Sequence, residues 1–425
     1  MVTQGDPAEA FARIQARHAR CVWLDGGGAR DWSRRRSILG WLEDDDVSLT
    51  YDAATREVTR HAGGRSVVVG DDPFAVLEAE LAVGSPSDQW FGYFGYACRA
   101  DLPALPDPDL PDAVWLRPSH LREYEHELPD VSLRFLPVAE ARKRGNPRLS
   151  GDSHTPPHPY AEAFATVQAH LHAGNSYEVN LTHRLRTASP LSPAAAYLRL
   201  RALNPAPYAG FLQHDLDGSR AWLLSSSPER YALVTADRML ETKPIKGTTP
   251  RGATPAEDAD ARERLASDPK YRAENLMIVD LLRNDLAMVC EVGTVEVPVL
   301  MDVESYASVH QLVSTVRGRL RDDITTVGAL RALFPAGSMT GAPKLRTMEI
   351  IEEVEDSARG AYAGAFGWVS GDGRADLGVV IRSLMSAGDD YVLGTGGGIT
   401  VASEVDEEYA ETEWKAARLL QAVNP

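Results

Sequence analysis

Cysteine is scarce in this chain and forms no recognisable pattern. The three cysteines, Cys21, Cys98 and Cys290, are far apart and include no Cys-x-x-Cys pair. An odd number of isolated cysteines predicts neither a disulfide framework nor a zinc knuckle. We expect buried free thiols instead, since unpaired cysteine behaves as a small apolar residue.

Long apolar runs are also missing. No stretch of the sequence approaches the roughly 20 apolar residues that span a bilayer. At the start, MVTQGDPAEAF, the acidic residues Asp6 and Glu9 stand where a signal peptide would carry cations and then an apolar segment. The sequence therefore predicts a cytoplasmic protein that makes no use of a membrane.

The chain lacks an excess of positive charge, because its formal net charge is -17 at pH 7. Such a charge argues against nucleic acid, or an anionic membrane surface, as the main partner. An anionic ligand would need a local positive field, supplied by a metal ion, by a few Arg and Lys side chains, or by backbone N–H groups.

Apolar sequence is sufficient for a large core, since 44% of the 425 residues are hydrophobic and 25% are charged. A stretch rich in Pro, Gly, Ser and basic residues at 142–158 predicts a linker between an N-terminal region, 1–141, and a C-terminal region, 159–425. Many strand-like runs and a few long helical patterns follow each other without regular alternation. This pattern favours an α+β fold over a doubly wound parallel sheet.

One helical pattern, AENLMIVDLLRNDLAMV, carries a carboxylate in an unusual place. Glu274 falls on the same helical stripe as the apolar Ile278 and Leu281. A carboxylate on such a stripe is costly unless it is paired, hydrogen-bonded or bound to a metal. The plain alternative is a place in the first turn at the edge of the core, where a negative charge suits the helix dipole.

The last helical pattern, SEVDEEYAETEWKAARLL, places four charged residues on one stripe: Glu404, Glu408, Glu411 and Lys415. A solvated face is the usual explanation of such a stripe. Immediately upstream, however, the glycine run GTGGGI at 394–399 would let backbone N–H groups approach an anion. The run lacks the spacing of a dinucleotide fingerprint, and a flexible turn would explain it as well.

Four single residues could carry chemistry or be structural. Lys246, in ETKPIKGTTPRG, stands at the mouth of a predicted tight turn and could be idle or reactive. Glu229 follows a Pro at a strand end, where a turn carboxylate is the plain alternative. His310 could be a general acid or base, but a lone His is more often structural. Arg382 is expected to alternate with apolar neighbours along one strand, so that it either reaches outward or binds a carboxylate.

Taken together and in this order, several segments resemble those of the chorismate-utilising enzymes, a family that includes anthranilate, aminodeoxychorismate and isochorismate synthases. The resemblance runs from about Pro159 to the C-terminus and is looser before the linker, at SRRRSILG and WFGYFGY. It implies an α+β enzyme in which a two-lobed β-sandwich is flanked by helices. The segments that carry it are SYEVNLT, NPAPY, SSSPER, PIKGT, AENLMIVDLLRND, SMTGAPK, GTGGGI and EEYAETEWK.

The resemblance also implies roles for individual residues. Glu274 and Glu411, with Glu408 beside them, match glutamates that hold Mg²⁺, a hard cation that prefers carboxylate oxygens. Glu229 matches a general acid that protonates the departing C4 hydroxyl of chorismate. The expected substrate-binding residues are Thr248, Tyr362, Arg382, Gly396, Gly397 and Lys415, to which Gly247 and His310 are added.

Two positions distinguish activities within the family. Lys246 stands where anthranilate and isochorismate-type enzymes carry Ala, and PIKGT resembles the aminodeoxychorismate synthases, in which this lysine attacks ring C2 before ammonia adds at C4 and expels it. Such a lysine must be neutral to attack, so we expect burial or nearby cations to lower its pKa. Glu178, in SYEVNLT, is neither the Lys of water-using members nor the Gln of many ammonia-using members. It argues against isochorismate chemistry, and its own role is left open.

The implied reaction is Mg²⁺-dependent amination of chorismate at C4, a step towards 4-aminobenzoate and folate. No cysteine lies in a Gly-x-Cys-x-Gly glutaminase sequence, so ammonia is expected from a glutamine amidotransferase subunit, and 4-aminobenzoate would need a downstream aminodeoxychorismate lyase. Two alternatives remain. One is anthranilate synthase component I with Lys246 as a bystander, and the other is a non-catalytic subunit that only activates an amidotransferase.

Related enzymes also bind tryptophan, in a pocket between an N-terminal Leu-Leu-Glu-Ser-type segment and an NPAPY-like segment. Ser37, Asn204, Pro205 and Tyr208 match positions of that pocket. The N-terminal segment here, VWLDGG at 22–27, departs from the family pattern. The sequence therefore leaves tryptophan binding open.

Overall fold

The structure is a computed structural model that describes residues 2–3, 5–26, 36–126, 155–306, 309–388 and 390–424. Over these residues the chain forms two sheets with helices packed around them. The helices, numbered in chain order, are α1 (Pro7–Gln15), α2 (Pro73–Val83), α3 (His158–His172), α4 (Pro193–Leu203), α5 (Pro255–Ser267), α6 (Pro269–Ala287), α7 (Thr326–Leu333), α8 (Lys344–Val354) and α9 (Val405–Val423).

The first sheet, called sheet A, contains ten strands in the described residues. In spatial order they are β1 (Val2–Thr3), β9 (His120–Glu125), β3 (Arg36–Trp41), β2 (Arg20–Asp25), β11 (Tyr208–His214), β12 (Ala221–Ser227), β21 (Ser383–Ser386), β22 (Asp390–Ile399), β10 (Glu178–Ala188) and β18 (Gly341–Ala342). Pairing is antiparallel except between the short β1 and β9.

The second sheet, called sheet B, contains twelve strands within the described ranges and is antiparallel throughout its described pairs. In spatial order they are β15 (Ile245–Pro250), β17 (Val309–Arg319), β14 (Met239–Lys243), β13 (Arg230–Val234), β20 (Ala375–Val379), β19 (Ala365–Ser370), β7 (Gln89–Phe94), β8 (Ala113–Leu116), β4 (Ser48–Asp52), β5 (Glu57–Ala62) and β6 (Arg65–Gly70), with β16 (Glu296–Ser305) paired to β17. The predicted α+β class is confirmed.

The main core lies between the two sheets. Val22 of sheet A packs in one apolar cluster with Trp115 and Phe366 of sheet B. A second core lies on the other face of sheet A, where α1, α4 and α9 cover Trp23, and Tyr197 of α4 packs against its ring. Val22 and Trp23 are consecutive on β2, so the alternation of side chains along a strand sends one to each core. The sandwich flanked by helices follows from this double burial of sheet A.

Both sheets take strands from either side of the predicted linker, so the regions 1–141 and 159–425 fold together. Of the linker itself, residues 142–154 lie outside the described part of the chain, and α3 begins at His158. The position of the boundary stays a prediction. The three cysteines are buried free thiols, as expected. Among the described residues no helix is long and apolar enough to cross a membrane.

The predicted strand DLGVVIRSLMSA is two strands, because the chain crosses from sheet B to sheet A within it. β20 ends at Val379, β21 begins at Ser383, and Arg382 between them has a positive φ of 51°. Val380 packs in the core between the sheets, whereas Leu384 packs in the outer core. The expected alternation of Arg382 with these two residues is therefore wrong, and the crossing decides where the guanidinium points.

A buried ionic cluster fastens α8 and the loop after it to β10. Arg359, which is 2% exposed, donates two hydrogen bonds to the carboxylate of Glu355 and one each to the backbone oxygens of Met339 and Asn180. The same carboxylate accepts a hydrogen bond from Arg184 at 3.3 Å. Buried charges of this kind are tolerated because each is paired and hydrogen-bonded.

We expect Arg359→Leu to lower the free energy of unfolding by about 3–5 kcal/mol, because it leaves the buried carboxylate of Glu355 without its main partner. Urea unfolding measures this change. Arg346→Leu is the matched control, since Arg346 pairs with Glu349 on the exposed face of α8. That change should cost less than about 1 kcal/mol, and equal losses for the two variants would contradict the burial argument.

Candidate active site

A cavity of about 410 Å³ collects both predicted catalytic residues and all the residues predicted to bind substrate or metal except His310, whereas Glu178 is not part of its lining. It lies where β10 and β22 of sheet A meet β15 of sheet B, and α6 and α9 contribute its remaining wall. Two chain crossings between the sheets also open into it, one after β12 and one after β20. The predicted residues that line it are Glu229, Lys246, Gly247, Thr248, Glu274, Tyr362, Arg382, Gly396, Gly397, Glu408, Glu411 and Lys415.

His310 is the predicted substrate-binding residue that does not line this cavity. Its ring is buried, and its two nitrogens are hydrogen-bonded to Ser305 Oγ at 2.8 Å and to Asp258 Oδ1 at 3.0 Å. Both nitrogens therefore already have partners within the fold. This arrangement corresponds to the structural alternative that the sequence left open.

Lys246 reaches the cavity because β15 contains a bulge rather than the predicted tight turn. The register of β15 against β17 shifts between Ile245 and Thr248, and Gly247 between them has a φ of 88°. A bulge with glycine in the left-handed region re-aims the neighbouring side chain. The side chain of Lys246 is thereby turned inward, and only 9% of the residue is exposed.

The ammonium group of Lys246 donates a hydrogen bond to Glu178 Oε1. Glu178 is 1% exposed, and its second oxygen, Oε2, has no hydrogen-bond partner among the described residues. Burial lowers the pKa of Lys246, but the carboxylates of Glu178, Glu274 and Glu229 outweigh burial and leave that pKa above its ordinary value. The expected lowering of the pKa is wrong for this arrangement, because the sequence did not reveal that Glu178 is the partner.

Glu229 lies in the crossing from β12 to β13 and is buried. Its Oε1 accepts a hydrogen bond of 2.7 Å from Ser338 Oγ. Burial raises the pKa of Glu229 to about 7, against the smaller opposing effects of Ser338 and Lys246. A carboxyl group with such a pKa can give up a proton near neutral pH.

Glu274 lies in the second turn of α6, because the helix begins at Pro269 and its N-cap is Asp268. The first-turn explanation of this carboxylate is therefore wrong, and the residue is buried at the cavity wall. Burial raises the pKa of Glu274 to about 7, and its Oε1 has no partner in the described structure. An unpartnered buried carboxylate oxygen is costly and suits a ligand that brings positive charge.

The other two acidic side chains of this wall come from α9. Glu408 accepts a hydrogen bond from Lys270 at 3.1 Å, and Glu411 pairs with Lys415 at 2.7 Å. The solvated-face interpretation is wrong for Glu408, which is 2% exposed. Glu411 keeps 40% of its side chain exposed and forms the expected i,i+4 pair with Lys415, and Glu404 at the helix start is exposed. Lys270 was missed by the sequence analysis, even though its place four residues before Glu274 puts both on one helix face.

The carboxylates on one wall of the cavity fit a hard cation that would also bind oxygens of a ligand. No group of three His, Cys, Asp or Glu side chains in the described structure is close enough to hold a metal ion without help. Mg²⁺, however, is commonly bound by one or two carboxylates together with oxygens of the substrate and water. Glu274, Glu408 and Glu411 supply carboxylates on one cavity wall, and Glu274 has an oxygen free among its described neighbours.

One cation of the cavity lining, Arg382, could hold an anionic group. Its guanidinium lies 5.1 Å from the ring centre of Trp414, and burial lowers the pKa of Arg382 to about 10. Arg184, which does not line the cavity and is paired with Glu355, covers the ring of Tyr362 at 5.0 Å. No carboxylate of the described residues lies within ion-pair distance of Arg382. Its charge is therefore available to a ligand.

A second cavity, of about 240 Å³, lies beside the residues that match the tryptophan pocket of related enzymes. Tyr208 lines it, together with Asp25, and Ser37 is buried behind it and donates to Asp25 at 3.2 Å. Asn204 instead donates to a serine of β12, and Pro205 is exposed away from the cavity. The last residue of the N-terminal segment, Gly27, and residues 28–35 after it lie outside the described part of the chain. The question of tryptophan binding therefore stays open, as the sequence left it.

Comparison with known proteins adds three findings. The sequence profile of the chorismate binding enzymes matches residues 20–421. Aminodeoxychorismate synthase from Streptomyces pristinaespiralis is 38% identical over 461 residues, which cover 98% of this chain and 64% of that protein. Aminodeoxychorismate synthase component 1 from Salmonella typhimurium is 36% identical, with 88% of this chain and 84% of that protein covered.

Among solved structures, anthranilate synthase component I from Streptococcus pneumoniae aligns with a TM-score of 0.72 and 26% identity over 90% of this chain and 92% of that one. Proteins named for two different reactions thus share this fold. The chain also spans less than two thirds of the length of the Streptomyces relative, 64%.

We expect Glu229→Gln to stabilise the protein more at pH 8 than at pH 5. The folded state resists ionisation of this carboxyl, so its destabilising effect appears as the pH rises from the ordinary pKa of 4.5 through the raised value of about 7. The gain in the free energy of unfolding, measured in urea, should grow by about 1–3 kcal/mol between the two pH values. Glu404→Gln, at an exposed position, should show no such pH dependence; a similar growth there would count against burial as the cause.

Proposed function

The chain belongs to the family of chorismate binding enzymes, and we propose that it aminates chorismate at C4 to give 4-amino-4-deoxychorismate. The observation that carries this choice is Lys246, a buried lysine whose ammonium group faces the cavity beside a buried acid. The names of the Streptomyces and Salmonella relatives support the same reaction. Because the chain covers only 64% of the Streptomyces protein, the full activity of that protein is carried over only as part of this proposal.

Chorismate has two carboxylates, and the cavity has separate cationic groups for them. In the proposal, Arg382 and Tyr362 bind the enolpyruvyl carboxylate, since Arg382 has no acidic partner among the described residues and presents a planar donor. Lys415 lies near the ring carboxylate. Its ammonium group is held in place by Gly396 O at 2.6 Å and by Glu411 at 2.7 Å. A protein of net charge -17 can thus bind a dianion through a local field.

Amination proceeds in two displacements. The neutral amine of Lys246 forms a bond to ring C2, the two conjugated ring double bonds shift, and the C4–O bond breaks while Glu229 gives its proton to the departing oxygen, which leaves as water. Ammonia then forms the C4–N bond, both double bonds shift back, and the C2–N bond electrons return to Lys246. The new ammonium group at C4 returns a proton to Glu229, so the site is restored and no oxidant or reductant is consumed.

Glu274 and Glu411, with Glu408 beside them, would hold Mg²⁺ together with the substrate. When bound, the ion would bind the ring carboxylate of chorismate and offset its negative charge. The chain prepares this wall by pairing the buried Glu408 with Lys270 and the partly exposed Glu411 with Lys415, so that each acid has a positive partner. Among the described residues Glu274 has no such lysine partner, and it supplies the carboxylate oxygen that lacks a hydrogen bond there.

Ammonia is proposed to come from a glutamine amidotransferase partner, and a separate aminodeoxychorismate lyase would release 4-aminobenzoate for folate or another product. The Salmonella relative is named as a component 1, which supports a second component. The chief alternative is anthranilate synthase, because the Streptococcus protein with that name has the same fold. In that case Lys246 would be a bystander.

We expect the purified protein, supplied with chorismate, MgCl₂ and ammonium chloride, to form 4-amino-4-deoxychorismate. Chromatography with mass detection identifies the product, and added aminodeoxychorismate lyase should convert it to 4-aminobenzoate. Lys246→Ala should reduce the rate by at least about a hundredfold, as loss of a nucleophile does in other covalent mechanisms. Anthranilate as the main product, or an unchanged rate in Lys246→Ala, would reject C4 amination, while no turnover at all with excess ammonium would favour a non-catalytic subunit.

We expect Glu274→Gln and Glu411→Gln each to raise the Mg²⁺ concentration for half-maximal activity by at least about tenfold, because each removes a negative oxygen donor. Titration of activity against MgCl₂, and calorimetric titration of Mg²⁺ in the presence of chorismate, give independent values. Glu407→Gln is the control, since Glu407 lies on the exposed side of α9. An unchanged Mg²⁺ requirement in both site variants would remove these residues as ligands.

A further inference from the structure

The pair formed by Glu178 and Lys246 joins the two sheets at the cavity. Glu178 is the first residue of β10 in sheet A, and Lys246 lies on β15 in sheet B. Neither strand is hydrogen-bonded to the other, and this side-chain hydrogen bond links them. Both side chains are at least nine-tenths buried. Such a contact either is an ion pair that only stabilises the fold or takes part in the reaction at Lys246.

The backbone leaves room for this pair at one position of the glycine run. A Cβ atom at Gly398 would overlap Glu178 Oε1 and would lie 3.0 Å from Lys246 Nζ. The polypeptide of β22 therefore passes directly beside the hydrogen-bonded pair. Any side chain at this position would displace the carboxylate from the ammonium group, so glycine here keeps the two groups in contact.

The ion pair is incompletely stabilised where it stands. Glu178 Oε2 is buried and has no hydrogen-bond partner in the described structure. An ionised carboxylate with an orphaned oxygen is costly in a desolvated site. Transfer of one proton from Lys246 to Glu178 would convert two buried charges into two neutral groups. The amination proposed above requires Lys246 in the resulting neutral form.

We propose that Glu178 is a further catalytic residue, the base that takes the proton from Lys246 before attack; this inference rests on the proposed amination. The Nζ–H bond breaks, the proton binds Glu178, and the freed electron pair forms the bond from Nζ to C2. Glu229 independently supplies the proton that leaves with the C4 oxygen. When ammonia has expelled the lysine as a neutral amine, Glu178 returns its proton to Nζ. Charge, protons and electrons balance over the cycle.

The other charged groups around Lys246 do not replace Glu178. Glu274 of α6 and Glu229 of the β12–β13 crossing act on Lys246 through space, as does Glu411 of α9 more weakly. Only Glu178 is hydrogen-bonded to Nζ among the described residues. Lys415 acts on Glu229 rather than on this pair. A glutamine at position 178 could keep the hydrogen bond but could not accept the proton, and this difference separates a base from a structural partner.

The decisive variant is Glu178→Gln. At pH 7 its kcat should fall by about 10²–10⁴, the usual range for loss of a general base, while KM for chorismate changes little. The ratio of its kcat to that of the parent should rise with pH, because solvent then removes the lysine proton. A ratio near one at every pH, or a low ratio that does not change with pH, would overturn the role as base.

A second variant distinguishes loss of the base from a loss of activity caused by misfolding. Glu178→Ala, with its thermal unfolding recorded, should regain activity when formate is added, because formate can occupy the space and accept the proton. Matched chloride serves as the control salt. No recovery in a folded Glu178→Ala protein would speak against the base.

A measurement without ammonia separates this inference from the proposed function. The parent, quenched after incubation with chorismate and MgCl₂, should show a covalent adduct at Lys246 by peptide mass analysis, and Glu178→Gln should show much less. If the parent yields no adduct here and no aminated product when ammonium is supplied, the proposed function fails. If the parent yields both and Glu178→Gln yields them equally fast, only the role of Glu178 fails.

Discussion

Burial of charge at the junction of two sheets is the constraint on which the site depends. Lys246 comes from sheet B and Glu178 from sheet A, and each would be costly to bury without the other. The same rule applies around the cavity, where Glu408 is paired with Lys270 and Glu411 with Lys415. Acidic and basic groups are therefore held close together in one water-poor space. Such a space strengthens every electrostatic interaction with a bound anion.

The two crossings between the sheets each place a charged side chain in the cavity. Glu229 lies in the crossing from β12 to β13, and Arg382 lies in the crossing from β20 to β21. The crossings are tied to each other, since Val379 N donates to Glu229 O at 3.0 Å and Ser226 N donates to Arg382 O at 3.2 Å. Residues at strand ends, supported by two packed sheets, are thus placed with the precision that positioned catalysis needs.

Much of the site could be predicted, because chemistry-bearing residues were recognisable in short motifs. The helices that carry Glu274 and Glu411, the strand with the glycine run and the lysine of PIKGT all appear as expected from hydrophobic periodicity and family resemblance. Other features could not be predicted in this way. The β20–β21 break, the bulge at Gly247 and the structural bonds of His310 depend on which sheet each segment joins. Pairing between distant strands leaves no periodic signal in either segment alone.

The sequence by itself determined the α+β class, the family and many of the residues that line the cavity, because these follow from local periodicity and from motifs that keep their order along the chain. Tertiary structure decided how those residues act on one another. Glu178 and Lys246 are 68 residues apart in sequence, and no spacing rule connects them. Their contact, and the raised pKa of Lys246 that follows from its acidic neighbours, exist only because the edges of two sheets meet and exclude water between them.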